Sequence, residues 1–236
     1  MKVLITGAAG YLGSQLTMHL INKGIEVIAY DNMMYNRESL LLCFNHPNLN
    51  IVQADVRDLS IAKKHLQNCD YLIYLAGIVG DSACKTAPAI SKEVNTTAII
   101  DFLKISDKSE IKNSIFISTC SNYGISNPNE LVNEQTKLNP LSEYSNYKIE
   151  IENYLINQYN APYTILRLGT LCGISSRMRF DLLINEMCKL ASLGRDIHIY
   201  TPQAWRPYLT LEEASQSIEK VLLSETKFTN NEIYNI

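Results

Sequence analysis

A tyrosine and a lysine with helical spacing form the first pair of residues that can do chemistry. Tyr144 and Lys148 lie four residues apart in SEYSNYKIEIENYL, a spacing that stacks two side chains on one face of a helix. A phenol has an ordinary pKa of about 10, but a neighbouring ammonium favours the phenolate. The pair can therefore take a proton from a hydroxyl group and return it, although Tyr147 competes for the tyrosine position.

Hydroxyl side chains follow a strand-like apolar run at residues 113–118, where the sequence reads STCSNYG from Ser118 onward. A hydroxyl at the carboxyl end of a parallel strand faces the crevice in which ligands bind. Ser118 or Thr119 can therefore donate a hydrogen bond to a reacting oxygen. The alternative is an ordinary turn, because Ser, Thr and Asn also favour turns.

Three glycines lie between the first strand-like run and the first helical segment, in TGAAGYLGSQL. Gly7, Gly10 and Gly13 allow a tight turn and a close approach of the backbone to a pyrophosphate, which the amino end of a helix attracts. The segment predicts a dinucleotide-binding loop that includes Tyr11 and Leu12. The alternative is a Gly-rich turn that binds no phosphate.

An acid at the end of the second strand-like run fits the same cofactor. Asp31 lies 31 − 13 = 18 residues after Gly13, close to where a carboxylate accepts hydrogen bonds from the adenosine ribose. A carboxylate there repels a 2′-phosphate, so the sequence favours NAD over NADP. Asn32, the next residue, is included in the predicted cofactor site.

Two further pairs of residues follow later strand-like runs. Asp55 and Val56 follow the third run, where an acid can meet the adenine amino group; alternatively, Asp55 only caps the next helix. Ala76 and Gly77 follow the fourth run, where small residues let the chain pass close to a cofactor. Both pairs are therefore predicted cofactor contacts.

Strand-like and helical segments alternate through most of the chain. Short apolar runs predict strands at residues 2–6, 25–30, 49–54, 70–75, 113–118 and 162–168. Helical spacing recurs at residues 11–22, 58–68, 89–105 and 143–158. Near-continuous apolar strands belong to a sheet that is buried on both faces. The sequence therefore predicts an α/β fold with a doubly wound parallel sheet.

The pattern changes after residue 170. A basic loop (SSRMRF) precedes a helical stretch over residues 180–193, a short IHIY run, the segment TPQAWRPY and a second helical stretch over residues 211–224. We expect residues 1–170 to form the nucleotide-binding domain with the catalytic residues. Residues 171–236 are predicted to form a small, partial substrate cap that packs on it within a single structural unit.

Composition excludes several classes of partner. With 21 basic and 24 acidic residues the net charge is −3, which argues against nucleic-acid binding and docking on an anionic membrane. The six cysteines include no CxxC pair, so neither a disulfide framework nor a metal site is predicted. The start of the chain shows no leader pattern, and no run of 18 apolar residues occurs. We therefore expect an unprocessed cytoplasmic protein with small-molecule partners.

The motifs together resemble a known family. They are TGAAGYLG, Asp31, LAGIVG, STCSNYG, Tyr144 with Lys148, LRLGTLCG and WRPYLTLEEAS. In this order the motifs resemble the extended short-chain dehydrogenase/reductase family, specifically its NAD-dependent epimerase/dehydratase group. The resemblance covers essentially the whole chain and implies a Rossmann fold with NAD as the cofactor.

The resemblance also implies roles for particular residues. Thr119 falls on the catalytic hydroxyl, ahead of Ser118, while Tyr144 and Lys148 fall on the family's YxxxK pair. Lys148 would also hold the nicotinamide ribose, so both members of the pair are predicted cofactor contacts. Asn95 in EVNTTA falls on an Asn that commonly lies near the bound cofactor or substrate.

Members of this group mostly act on nucleotide-diphosphate sugars, which the resemblance implies as the substrate class. Arg206 in WRPY matches the basic position that usually meets the diphosphate, a task that suits the planar guanidinium. The alternative is a surface arginine packed on Trp205 or Tyr208. Arg177 and Arg179 in SSRMRF are further candidates for the substrate site, or else are simply solvated.

Two departures from the family pattern bear on the reaction. In the 4,6-dehydratases Asp and Glu follow the catalytic threonine, whereas Cys120 and Ser121 stand here, which argues against dehydration. Cys120 is either an acid or base for epimerisation or a small buried residue. The chain stops at EIYNI, where relatives usually continue, so either the cap is minimal or a tail is missing.

Three functions follow from this pattern. The first is an epimerase that transiently oxidises a sugar hydroxyl on bound NAD. The second is a nucleotide-sugar reductase or dehydrogenase with the same residues and a dissociable cofactor. The third is a non-catalytic NAD-binding protein, because a fold alone does not determine function. Family members commonly dimerise through helices beside the active site, so residues 89–105 and 143–158 allow a homodimer.

Overall fold

A computed structural model describes residues 1–35, 37–125 and 131–236. The strands are β1 (Lys2–Thr6), β2 (Glu26–Asp31), β3 (Leu49–Gln53), β4 (Tyr71–Tyr74), β5 (Asn113–Thr119), β6 (Tyr163–Leu168), β7 (Thr170–Cys172), β8 (Tyr208–Thr210) and β9 (Glu232–Asn235). The α-helices are α1 (Tyr11–Asn22), α2 (Leu59–Leu66), α3 (Asp81–Thr86), α4 (Pro88–Lys92), α5 (Ala98–Ser106), α6 (Glu143–Gln158), α7 (Leu183–Ser192) and α8 (Leu211–Leu223). Short 3₁₀ turns lie at Glu38–Cys43, Cys120–Tyr123 and Thr226–Phe228, and a π-helical turn lies at Glu93–Thr97.

The main sheet has seven strands in the order β3-β2-β1-β4-β5-β6-β9, and all of its pairings are parallel. The order reverses between β1 and β4, which creates a crevice at the carboxyl ends of these strands. Thr6, the last residue of β1, lies beside Tyr30 of β2 and Tyr74 of β4. The predicted doubly wound α/β fold is therefore confirmed.

Side chains from alternate positions of the strands form a core on each face of the sheet. Val3 and Ile5 pack in a buried cluster with residues of α1 and α8, whereas Leu4 packs in another with residues of α2, α5 and α6. In the second cluster the ring of Phe102 makes edge contacts with Tyr30 and Tyr74. Burial on both faces explains why the strands read as continuous apolar runs.

A second, smaller sheet pairs β7 with β8 in parallel. Its register places Thr170 beside Tyr208, and the backbone N–H of Thr170 donates to the carbonyl of Pro207 at 2.9 Å. The WRPY segment therefore lies next to the end of β6, although Tyr208 follows Thr170 by 38 positions in the chain.

Several elements differ from the sequence-based expectation. The helix expected at residues 89–105 is interrupted by the π-helical turn, and the one expected at residues 180–193 begins at Leu183. Strands β7, β8 and β9 were not predicted. In β9 only Ile233 and Tyr234 are apolar, too short a run for a clear pattern, yet the strand pairs with β6 at the edge of the main sheet.

The segment after residue 170 contributes a strand to the main sheet and also contains the residues of the predicted substrate cap. Helix α8 packs on α1, where His19 Nε2 lies 2.6 Å from Glu219 Oε2, and β9 extends the sheet. The division of the chain at residue 170 stays a prediction. Among the helices of the described residues, none has the length and apolar character needed to cross a membrane.

Candidate active site

The glycine loop joins β1 to α1 and approaches its neighbours too closely for a side chain. Gly7 has a φ of +72°, and a Cβ at this position would lie 2.7 Å from the backbone nitrogen of Ala76. A Cβ on Gly13 would lie 2.0 Å from the carbonyl oxygen of Gly7. Gly10 precedes α1 and provides no side-chain cap, so the amino end of this helix presents backbone N–H groups to an anion.

Tyr11 and Leu12 begin α1 with their side chains buried. Leu12 belongs to the hydrophobic core, and the hydroxyl of Tyr11 donates to the carbonyl of Gly173 at 2.7 Å. Because both side chains point into the protein, their predicted contact with a cofactor would be made by backbone N–H groups.

Asp31 lies at the end of β2, directly beside the glycine loop. Its carboxylate accepts hydrogen bonds from the backbone N–H of Ala9 at 3.0 Å and of Met33 at 2.7 Å. Burial raises the pKa of Asp31, and these two hydrogen bonds oppose the shift. The predicted ribose-binding acid therefore contacts the backbone of the predicted phosphate loop.

Asp55 lies beyond β3 and forms a charged group with its neighbours. Arg57 donates from Nε to Asp55 Oδ1 at 2.8 Å, and Asn32 donates to Asp55 Oδ2 at 3.1 Å. The hydrogen bonds from Arg57 hold the pKa of Asp55 well below its usual range. Asp58, not Asp55, caps α2, because its carboxylate accepts from two N–H groups of the first turn. Val56, the other residue predicted here, is buried beside Asp55.

The loop after β4 is held by a buried asparagine. Asn95, in the π-helical turn, accepts from the N–H of Ile78 at 2.9 Å and donates to the carbonyl of the same residue at 2.8 Å. The backbone N–H of Ala76 donates to Thr6 Oγ1 at 3.2 Å, and a Cβ on Gly77 would lie 2.8 Å from Asn95 Oδ1. Asn95 therefore positions the chain that contains Ala76 and Gly77.

The predicted catalytic pair lies on the first turns of α6. Lys148 is buried, and its Nζ donates to the carbonyl of Ile117 at 2.8 Å. The same nitrogen lies 4.6 Å from the ring centre of Phe116 and 5.7 Å from that of Tyr144. Burial lowers the pKa of Lys148 to about 8. Tyr144 is partly exposed whereas Tyr147 is buried, which favours Tyr144 as the tyrosine that meets a substrate.

At the end of β5, the two candidate hydroxyls of Ser118 and Thr119 lie in different surroundings. Ser118 is buried and donates to Glu152 Oε1. Thr119 is partly exposed and accepts from the N–H of Ser121 at 3.1 Å. Because Ser118 points into the protein, Thr119 is the hydroxyl available to a ligand, two residues beyond the carbonyl that binds Lys148.

The three candidate arginines lie in different surroundings. The guanidinium of Arg177 stacks on the ring of Tyr35 at 4.2 Å, on the segment that follows Asp31. Arg179 forms an ion pair with Asp181. Arg206 is exposed, yet its charge lowers the pKa of the Cys120 thiol against the larger, raising effect of burial. Arg206 therefore lies within electrostatic range of the residue that follows Thr119.

Sequence reasoning missed a group of buried polar residues behind the catalytic pair. Glu152 and Arg167 form an ion pair with a distance of 2.6 Å, and both side chains are almost fully buried. Asn122 donates to the same carboxylate at 2.8 Å. The signal was present in the sequence, because Arg167 is the one charged residue in the apolar run PYTILRL.

The family model described as "NAD dependent epimerase/dehydratase family" matches residues 3–236. The chain belongs to this family. The assignment that the motifs implied is thus confirmed.

Relatives and solved structures agree with this assignment. UDP-glucose 4-epimerase of Lactobacillus helveticus is 29% identical over 184 residues, which are 75% of this chain and 53% of that protein. A UDP-N-acetylglucosamine 4-epimerase from Methanobrevibacter ruminantium, solved with UDP-N-acetylmuramic acid, has a TM-score of 0.87 and 25% identity. That match covers 100% of this chain and 76% of the solved one. UDP-glucuronic acid 4-epimerase from Bacillus cereus, solved with UDP-glucuronic acid and NAD, shares the fold, with a TM-score of 0.88, 23% identity and coverage of 100% and 77%. The chain spans about half the length of the first curated relatives that it matches.

Proposed function

We propose that this protein is an NAD-dependent nucleotide-sugar epimerase that acts by transient oxidation of a sugar hydroxyl, as a 4-epimerase does. The observation that carries the proposal is the placement of Lys148 against both the Tyr144 ring and the end of β5, where Thr119 follows. This arrangement combines a base, a cation and a hydroxyl at the carboxyl end of β5, on the same edge of the sheet as the glycine loop that follows β1.

The residues around the crevice fit NAD. Gly7 and Gly13 let the loop pack tightly, because a Cβ at either position would collide with backbone atoms, and the start of α1 offers N–H groups to a pyrophosphate. The carboxylate of Asp31 lies where it can accept from ribose hydroxyls and would repel a 2′-phosphate. Bound NAD would supply the hydride acceptor of the reaction.

The side chains of this protein would supply the proton transfers. Tyr144 would take the proton from a sugar hydroxyl and later return it, while Thr119 would donate a hydrogen bond to the same oxygen. The ammonium of Lys148 favours the phenolate of its neighbour. Its bond to the Ile117 carbonyl fixes the position of that charge.

A nucleotide-diphosphate sugar is the substrate class that we propose. Relatives of this chain are named for UDP-sugars, and the Bacillus cereus structure contains UDP-glucuronic acid. Arg206 lies within electrostatic range of Cys120 and is our first candidate for the diphosphate. Arg179 is a second candidate, whereas Arg177 lies against Tyr35 on the cofactor side.

Cys120 and Ser121 stand where dehydratases have acids, so we favour epimerisation over dehydration.

We further propose that the protein works in a reducing cytoplasm. No disulfide joins cysteines within the part of the chain that the structure describes, and Cys43 and Cys69 are buried in the core. Homodimerisation through helices beside the site stays a prediction, to be tested by measuring the mass of the protein in solution.

Replacing Tyr144 tests the proposed function most directly. The purified protein is incubated with UDP-glucose, UDP-galactose and their uronic acids, and products and NADH are measured. We expect one sugar pair to interconvert without net NADH. Tyr144→Phe should reduce kcat about 10²–10⁴-fold, the usual contribution of general acid–base catalysis. Tyr147→Phe, on the same helix, is the matched control and should keep nearly full activity.

Three outcomes would contradict the proposal. Net formation of NADH would indicate a dehydrogenase or reductase with a dissociable cofactor. Binding of NAD without turnover of any sugar would indicate a non-catalytic protein. Equal losses in Tyr144→Phe and Tyr147→Phe would show that neither phenol is the specific base.

A further inference from the structure

A buried ion pair lies one helical turn behind the catalytic pair. Glu152 follows Lys148 by four residues on α6, and its carboxylate faces Arg167 of β6. Arg167 Nη2 lies 2.6 Å from Glu152 Oε2, and Nε lies 3.1 Å from Oε1. The two residues are 1% and 3% exposed. Desolvating two charges is unfavourable unless further hydrogen bonds satisfy them, so the partners of this pair are informative.

The carboxylate of Glu152 accepts hydrogen bonds from residues that lie before and after Thr119 in the sequence. Ser118, which precedes Thr119, donates its hydroxyl to Glu152 Oε1. Asn122, in the 3₁₀ turn that follows, donates to the same oxygen at 2.8 Å and to Ser118 Oγ at 3.1 Å. The end of β5 and its turn are therefore attached to α6 immediately before and after the predicted catalytic hydroxyl.

Arg167 extends this group to the far end of the turn. Its Nη1 donates to the hydroxyl of Tyr123 at 2.8 Å and to the carbonyl of Glu134 at 3.1 Å. The hydroxyl of Tyr123 in turn donates to Asn235 at 2.7 Å. The guanidinium thus connects the helix to the turn and, through Tyr123, to strand β9.

We propose that Glu152 and Arg167 are positioning residues that hold Thr119 in place relative to Tyr144. The inference rests on the proposed function, since that function assigns the side chains of Thr119 and Tyr144 to the same reacting oxygen. Thr119 belongs to β5 and Tyr144 to α6, so their separation depends on how the strand end is attached to the helix. Catalytic groups must be held to within a fraction of an ångström, and a misplacement of about 1 Å can reduce the rate about 100-fold.

The charge of Glu152 has a second effect on the site. It raises the pKa of Lys148 and so opposes the larger effect of burial, which lowers it. Glu152 therefore helps to keep an ammonium beside the Tyr144 ring as well as holding the end of β5.

Two serines of β5 provide a matched test of the positioning role. Ser118 and Ser114 lie on the same face of the strand, are 3% and 1% exposed, and each bonds to a residue at or just beyond α6. Ser118 donates to Glu152 at the carboxyl end of β5. Ser114 lies 2.7 Å from the hydroxyl of Tyr159 at the amino end, away from the crevice. Ser→Ala deletes one buried hydroxyl in each case.

The experiment compares Ser118→Ala with Ser114→Ala in the full chain. We expect both variants to fold, with Ser118→Ala melting about 5 °C below Ser114→Ala, since Ser118 loses its bonds with Glu152 and Asn122 whereas Ser114 loses one bond with Tyr159. Ser118→Ala should lower kcat about 10-fold with KM and bound NAD unchanged, while Ser114→Ala keeps kcat within about twofold. Glu152→Gln, which keeps an oxygen acceptor but removes the charge, should lower kcat further.

A second readout does not depend on activity. With ¹³C-labelled threonine methyl groups, the NMR signal of Thr119 should shift or broaden in Ser118→Ala and stay unchanged in Ser114→Ala. A shifted signal in an enzyme that turns over no sugar would contradict the proposed function but support the positioning role. An unchanged Thr119 signal, or equal losses of kcat in the two serine variants, would overturn the inference.

Discussion

The predicted cofactor side and the proposed substrate side of the site are built by different means. On the cofactor side, Gly7, Gly13 and Asp31 form a tightly packed surface in which backbone atoms lie in direct contact. On the substrate side, the candidate side chains are long arginines on segments that follow residue 170, and Arg206 is exposed. The comparison indicates that a dinucleotide site depends on local backbone geometry, whereas a sugar site depends on side chains brought together from distant segments.

The neighbours of these residues extend the same contrast. The glycine loop packs against α1, β2 and the chain after β4. In the segment around Arg206, Tyr200 and Trp205 are 89% and 96% exposed. We therefore expect a single methyl group on the cofactor side to have a larger effect than the loss of a whole side chain on the substrate side.

Gly13→Ala should give the largest effect. The new Cβ would lie 2.0 Å from the carbonyl oxygen of Gly7, so the loop must move away from its phosphate-binding position. We expect the Kd for NAD to rise at least about 100-fold, or about 2.7 kcal/mol, as measured by calorimetry. Gly24→Ala is the control, because Gly24 has a φ of +79° and no atom near its Cβ position. This control should lower stability while leaving NAD binding intact; similar NAD affinity in both variants would refute the contrast.

The pH dependence of stability should report the burial of Lys148. Its pKa is about 8 in the folded protein and 10.5 when unperturbed. Between these values the unfolded chain binds more protons, so the free energy of unfolding rises with pH. We expect a rise of about 2 kcal/mol between about pH 7.5 and 9.5 from this group. Urea unfolding of the cofactor-free protein measures it, with Lys148→Met as the comparison; parallel pH curves for the two proteins would contradict the prediction.

Arg206→Ala should have the smallest effect of the three. Removing one exposed guanidinium from the proposed diphosphate site should raise KM for the UDP-sugar about 10-fold, or about 1.4 kcal/mol, with bound NAD unchanged. Arg195→Ala, another exposed arginine of the same segment, is the control and should leave KM unchanged. If the two variants behave alike, Arg206 is an ordinary surface residue beside Trp205.

Much of the fold was predictable because its signals are local. A strand that is buried on both faces must be apolar along its length, and a phosphate loop must have glycines where the backbone turns and packs. The six predicted strands of the main sheet and helices α1 and α6 were found within a residue or two of their expected positions. Strand β9 escaped prediction because its place is determined by pairing with β6, not by its own four residues.

The sequence by itself determined which residue types could bind NAD and move a proton, because those types occur at short, characteristic spacings. The tertiary structure decided between candidate residues that spacing in the sequence does not distinguish. It buries Ser118 and leaves Thr119 partly exposed, and it places Lys148 against Tyr144 while Tyr147 is buried. It also joins Glu152 to a partner on another strand. These outcomes depend on which groups find a hydrogen-bonding partner in the packed interior, and that is a property of the whole fold.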